Sequence, residues 1–130
     1  MEAAIALEKL RKITRPVIDD IAAHDLVRQH FEFESINKLH ALNSYDDANF
    51  FVSGTRHGHE SEYVLKIHNG ADSEDSYIPY LEAMNAVMNH LASAGIRVNQ
   101  PVPNLRSELT TFVLLPVAKV CELNEVQTGL

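Results

Sequence analysis

The 130-residue chain sets 11 basic against 18 acidic residues, a formal net charge of −7, and its 45% apolar and 22% charged residues are ordinary globular usage. That length suits one domain with a real core, while the acidic balance and the lack of clustered Lys and Arg argue against a duplex nucleic-acid binder. A lone cysteine, Cys121, rules out an internal disulfide and argues against a thiolate metal site, and no apolar run reaches the ~20 residues that would cross a bilayer, so a reducing, cytoplasmic setting with no membrane contact is the expectation.

Met1 to Arg15 mixes charges with short apolar stretches and lacks the continuous apolar core of a signal peptide. Thr14-Arg15-Pro16 reads as a helix start, with Asp19 and Asp20 near the positive dipole end, and predicts a helix from about Val17 to His30 with Ile18, Ile21, Ala22 and Leu26 on one arc. Ser35 to Leu42 predicts a strand, the turn formers Asn43 to Asp47 a loop, and Asn49 to Ser53 a second strand. A polar turn over Gly54 to Glu60 leads into Glu62 to His68, where alternation puts Tyr63, Leu65 and Ile67 on one face and Val64, Lys66 and His68 on the other. The polar stretch Asn69 to Ser76 reads as a loop. Pro79 then opens a helix whose Leu81, Met84, Val87, Met88 and Leu91 form an apolar stripe expected to pack as core, with Ala94-Gly95 as the stop. Thr110 to Leu115 predicts a further buried strand, closed by Pro116.

Lys66 in mid-strand needs an explanation, because an ammonium is rarely buried without a partner. On the residues alone it could also sit on a solvated strand face. Arg56-His57-Gly58-His59-Glu60 fits an exposed hairpin tip better than a metal site, since no further ligand set accompanies it. Cys121 has no neighbouring His to activate it and is not expected to act as a nucleophile.

The order of these elements, with three segments of wording, resembles the hydroxylysine kinases of the aminoglycoside phosphotransferase family. The segments are Leu42-Asn43-Ser44-Tyr45-Asp46-Asp47-Ala48-Asn49-Phe50, Tyr63-Val64-Leu65-Lys66-Ile67, and Leu81-Glu82-Ala83-Met84 with Gly95 ending the helix. The resemblance implies an α+β fold, a protein-kinase-like N-terminal lobe in which an antiparallel sheet carries one long packed helix and an N-terminal helix. It divides the chain into an N-terminal helical segment, 1–30, a kinase-like lobe, 31–116, and a divergent tail, 117–130.

It further implies that Lys66 neutralises nucleotide phosphates and pairs with Glu82 on the following helix, and that Ser44, Asn49 and backbone amides of their loop cover those phosphates. The loop has no glycine, and its Asp46 and Asp47 would repel phosphate unless turned away or used to hold a cation. GTP or ATP with magnesium is the implied cofactor, and 5-hydroxylysine the implied acceptor where a second lobe is present. No His-x-Asp occurs, and no catalytic-loop or metal-binding Asp of that second lobe can be placed, so a truncated, inactive form is expected, with self-association through an exposed lobe interface. Two alternatives stay open: a non-catalytic binding or regulatory fragment, and an unrelated α+β binding domain, the latter if Lys66 stands exposed and apart from Glu82.

Overall fold

The computed structural model describes residues 2–73 and 75–127. Two helices lead the chain, α1 (Glu2–Ile13) and α2 (Asp20–His30), where the sequence predicts only the second, and that one too early. Thr14 N–H donates to the Leu10 carbonyl and closes α1; Pro16 is buried in the connection. Asp19 then caps α2 by accepting from Ala22 N at 2.8 Å, which satisfies an amide that the first turn would leave unpaired. The buried face of α2 is Ala23, Leu26 and Val27; Ile21, expected on that arc, is exposed, and Ile18 packs on the core only in part.

Among the described residues six strands form one antiparallel sheet: β1 (Ser35–Leu42), β2 (Ala48–Arg56), β3 (His59–Ile67), β4 (Gln100–Val102), β5 (Thr111–Phe112) and β6 (Val120–Glu125). Their order is β1-β2-β3-β6-β4, with β5 sharing the outer edge of β6. Strands β2 and β3 run on through most of the expected turn and meet at His57 and Gly58, whose φ values of 52° and 78° are the left-handed pair that a two-residue hairpin of matching twist requires. The expected strand at 110–115 shrinks to two paired residues, and Phe112 and Leu114 face outward while Thr111 and Val113 are buried.

Strand β6 lies beyond residue 116, where the sequence leads one to expect a divergent tail. Residues 120–125 pair with β3 on one side and with β4 and β5 on the other, so the supposed tail is an inner strand with Val120, Cys121 and Leu123 fully buried. One face of the sheet, carrying Phe50, Val52, Tyr63, Leu65, Ile67, Cys121 and Leu123, packs with α2 and Phe31 into the core. The alternation read in β3 is therefore correct, and Lys66 lies on the face away from that core.

Two 3-10 turns, Gly70–Ser73 and Asp75–Tyr77, lead to α3 (Ile78–Ser93), which has Pro79 in its first turn and ends at Gly95 with φ 85°. Gly70 is fixed by close approach: a Cβ there would collide with the Val117 carbonyl oxygen, and its own N–H donates to the Thr14 carbonyl at 2.9 Å. The stripe on α3 does not pack as expected. Only Leu81 and Asn85 are buried, Met88 and Leu91 are half-buried, and Met84 and Val87 are 45% and 57% exposed. The helix meets the sheet chiefly at the short outer strand β4.

Candidate functional site

The loop between β1 and β2 closes over Leu42 paired with Asn49, and its shape is set by side chains that replace glycine. Ser44 Oγ accepts from Asn49 N at 3.0 Å and from Asn49 Nδ2 at 3.1 Å, and donates to the Leu42 carbonyl at 3.3 Å. Asn49 Nδ2 also donates to Asp47 Oδ1 at 3.2 Å. This is the local bonding for which Asn, Ser and Asp are favoured in turns.

Cross-strand pairing sets Asn49 on β2, Lys66 on β3 and Glu122 on β6 side by side in one row. Lys66 Nζ lies 3.2 Å from Asp47 Oδ2, with the lysine side chain 44% and the aspartate 16% exposed. Ser44, Asn49 and Lys66, all expected at the site, are thus brought together, and Asp47 joins them. Glu82 is not. It is exposed on α3 and lines a cleft of about 310 Å³ with Asn85, Glu108 and Thr110, and among the described residues it makes no ion pair. The Lys66–Glu82 pair implied by resemblance is absent because α3 packs at β4, across β6 from β3.

Beside Lys66, Glu122 and His68 are both buried, and Glu122 Oε1 approaches His68 Nε2 to 3.2 Å without the alignment of a hydrogen bond. A buried acid directly opposite Lys66 was not foreseen, since β6 was not read as a strand. Cys121, next in sequence, points into the core, where burial pushes its thiol up to about 12 and leaves it inert.

The other side of the loop is tied to α1. Arg11 forms a bidentate pair with Asp72, Nη1 to Oδ1 and Nη2 to Oδ2 both at 2.8 Å, and its Nε donates to Asp46. Asp72 above all, and then Asp46, raise the affinity of Arg11 for its proton; in return the guanidinium holds the Asp46 carboxyl below the usual carboxylate range. Arg15 Nη2 donates to the Ser44 carbonyl at 2.9 Å. Fully buried Asn69 fastens three pieces together: Nδ2 donates to the carbonyls of Arg11 at 2.7 Å and Asp46 at 2.6 Å, and Oδ1 accepts from Ala71 N at 2.9 Å. Neither Arg11 nor Asn69 announces its role locally, because apart from Ala71 beside Asn69 the partners named here lie 23 to 61 residues away.

The loop therefore presents a lysine, a serine-organised turn and carboxylates that already have cationic partners. The Lys66 ammonium and the Ser44 turn offer groups that fit a nucleotide's phosphates; of the two acids, Asp46 is held by Arg11, whereas Asp47 is paired with Lys66 itself.

No protein-family model matches the chain. It is 31% identical over 101 residues to a hydroxylysine kinase of Danio rerio, covering 78% of this chain and 27% of the relative, and 33% identical over 90 residues to a hydroxylysine kinase of Xenopus laevis, covering 68% and 23%. The chain thus spans about a quarter of the length of the curated relatives it matches. In structure it is similar to amicoumacin kinase hAmiN, solved in complex with AMP-PNP, Ca2+ and Ami, with a TM-score of 0.65 at 16% identity over 99% of this chain and 34% of that one. The chain resembles hydroxylysine kinases in sequence, and its fold is the α+β protein-kinase-like N-terminal lobe. That likeness sets aside an unrelated α+β domain, although Lys66 is partly exposed and apart from Glu82. No helix among the described residues is long and apolar enough to cross a membrane.

Proposed function

We propose that this chain is the nucleotide-binding lobe of a hydroxylysine kinase-like small-molecule kinase, in which Lys66 contacts the phosphates of GTP or ATP and the Ser44–Asn49 loop covers them. The observation that carries the reading is the position of Lys66: mid-strand, off the core face, in register with Asn49 and directly beneath a loop held in shape by Ser44. An ammonium there offers a point charge to phosphate oxygens, and the loop's amides and the Ser44 hydroxyl offer donors. A nucleotide-bound magnesium ion would supply further neutralisation of phosphate charge. Glu82 keeps a place in this reading only if α3 turns toward β3 when nucleotide binds. Phosphoryl transfer to the hydroxyl of 5-hydroxylysine, the activity that the relatives' name indicates, would need an acceptor site and a group to orient that hydroxyl.

A ligand that binds only the folded chain raises its melting temperature. GTP or ATP with magnesium is expected to do so for the wild type and less for Ser44→Pro, which disturbs the loop turn. An equal shift in Ser44→Pro with its fold intact would remove the loop from the reading.

The exposed Met84 and Val87 on α3 favour a second role, as a fragment that self-associates or competes for a partner surface. Excess chain added to an assay of a full-length relative would alter its rate under that role and leave it unchanged otherwise.

A further inference from the structure

The two adjacent acids of the β1–β2 loop are used differently. Asp46 turns toward α1 and is neutralised by Arg11, a residue that has no part in the phosphate site. Asp47 turns the other way and neutralises Lys66 itself, with Nζ to Oδ2 at 3.2 Å. Its orientation is imposed: Oδ1 accepts from Asn49 Nδ2, and Asn49 is in turn fixed by Ser44 Oγ through both its backbone and side-chain nitrogens. At 16% exposure Asp47 is a seated carboxylate.

We propose that Asp47 is an internal competitor for the phosphate-binding lysine, so that the loop holds Lys66 in a self-neutralised state which nucleotide must displace. The inference rests on the nucleotide reading of Lys66. A carboxylate oxygen at 3.2 Å from the ammonium takes the place that a phosphate oxygen would take, and the two anions repel each other at short range. Binding therefore breaks the Asp47–Lys66 contact and swings Asp47 away, at a cost that lowers affinity and makes loop position respond to occupancy. Asp46 imposes no such cost, because Arg11, itself anchored by Asp72, keeps it on the far side of the loop. A loop without glycine, carrying two acids at a phosphate site, thus becomes intelligible: one acid fastens the loop and the other gates the lysine.

The test is calorimetric titration of the intact chain with GTP-Mg and ATP-Mg, comparing wild type with Asp47→Asn, which keeps an acceptor for Asn49, and with Asp47→Ser. Both variants are expected to bind roughly three- to tenfold more tightly, the scale set by losing one partly exposed ion pair and one like charge. In a Lys66→Met background the part of the gain that comes from breaking the ion pair is expected to vanish, so the same substitutions should improve affinity less than they do with Lys66 present. Unchanged or weaker binding by Asp47→Asn and Asp47→Ser, with wild-type binding still dependent on Lys66, overturns the gate and leaves the nucleotide reading standing. Weaker binding that disappears when the titration is repeated with magnesium-free nucleotide would make Asp47 a metal ligand and overturn it equally. No saturable binding by wild type or either variant at millimolar nucleotide overturns both.

Discussion

The two flanks of the sheet are built on different principles. At one flank, α1 has no buried residue, yet it is joined to the β1–β2 loop and the first 3-10 turn by Arg11, Arg15 and buried Asn69 in a network of charged and amide hydrogen bonds. At the other, α3 is longer and more apolar but buries only Leu81 and Asn85, and the Nδ2 of Asn85 has no partner among the described residues. Polar bonds are directional and hold a position, whereas apolar contact gains free energy with any surface that fits. The molecule fixes the geometry of the loop that covers Lys66 and leaves the α3 surface open to contact.

The largest break in that contrast should come from Asn69→Ala. It strands the carbonyls of Arg11 and Asp46 and the Ala71 amide around a buried void, so urea unfolding should show a loss of about 2–3 kcal/mol. A loss under 0.5 kcal/mol would mean the network is not what secures the loop.

Arg11→Met should cost less, about 1 kcal/mol at neutral pH, because the pair is partly exposed to water. Its signature is in pH. The Asp46 carboxyl is depressed in the folded state, so its contribution is present above the ordinary carboxylate pKa and is lost as pH falls through the folded value. The wild type should therefore lose stability more steeply on acidification below about pH 4 than Arg11→Met does, and parallel curves would contradict the assignment.

Asn85→Leu should sharpen the comparison from the other flank. Replacing a buried, unpartnered amide with an apolar group of similar volume should leave stability within about 0.5 kcal/mol of wild type or raise it. The smallest effect on folding is expected from Val87→Lys, near zero, with reduced binding of a hydrophobic dye and less self-association on a sizing column.

What the sequence displays and what it conceals divides along the same line. The first strand is observed at its predicted bounds, Ser35–Leu42, and the alternation of Tyr63, Leu65 and Ile67 places Lys66 on the correct face, because local periodicity reports which side of a strand meets a core. The α3 helix was legible from Pro79 and Gly95, but not its packing, since an apolar stripe says that a helix can be buried and not that a neighbour is there. Strand β6 was hidden by Glu122, a charge in a fully paired inner strand that breaks the apolar run of Val120, Cys121 and Leu123. The partners of Arg11 and the Asp47–Lys66 contact were beyond local reading. Asp46 and Asp47 look alike in sequence and diverge only when α1 and β3 arrive on opposite sides of the loop.

The central claim, that Lys66 beneath the β1–β2 loop receives nucleotide phosphate, is tested most directly by calorimetric titration of the wild-type chain and Lys66→Ala with GTP and ATP in magnesium. Saturable binding that weakens at least tenfold in a folded Lys66→Ala variant is the predicted result. Equal binding by the two proteins, or none by a wild type shown to be folded, would contradict it.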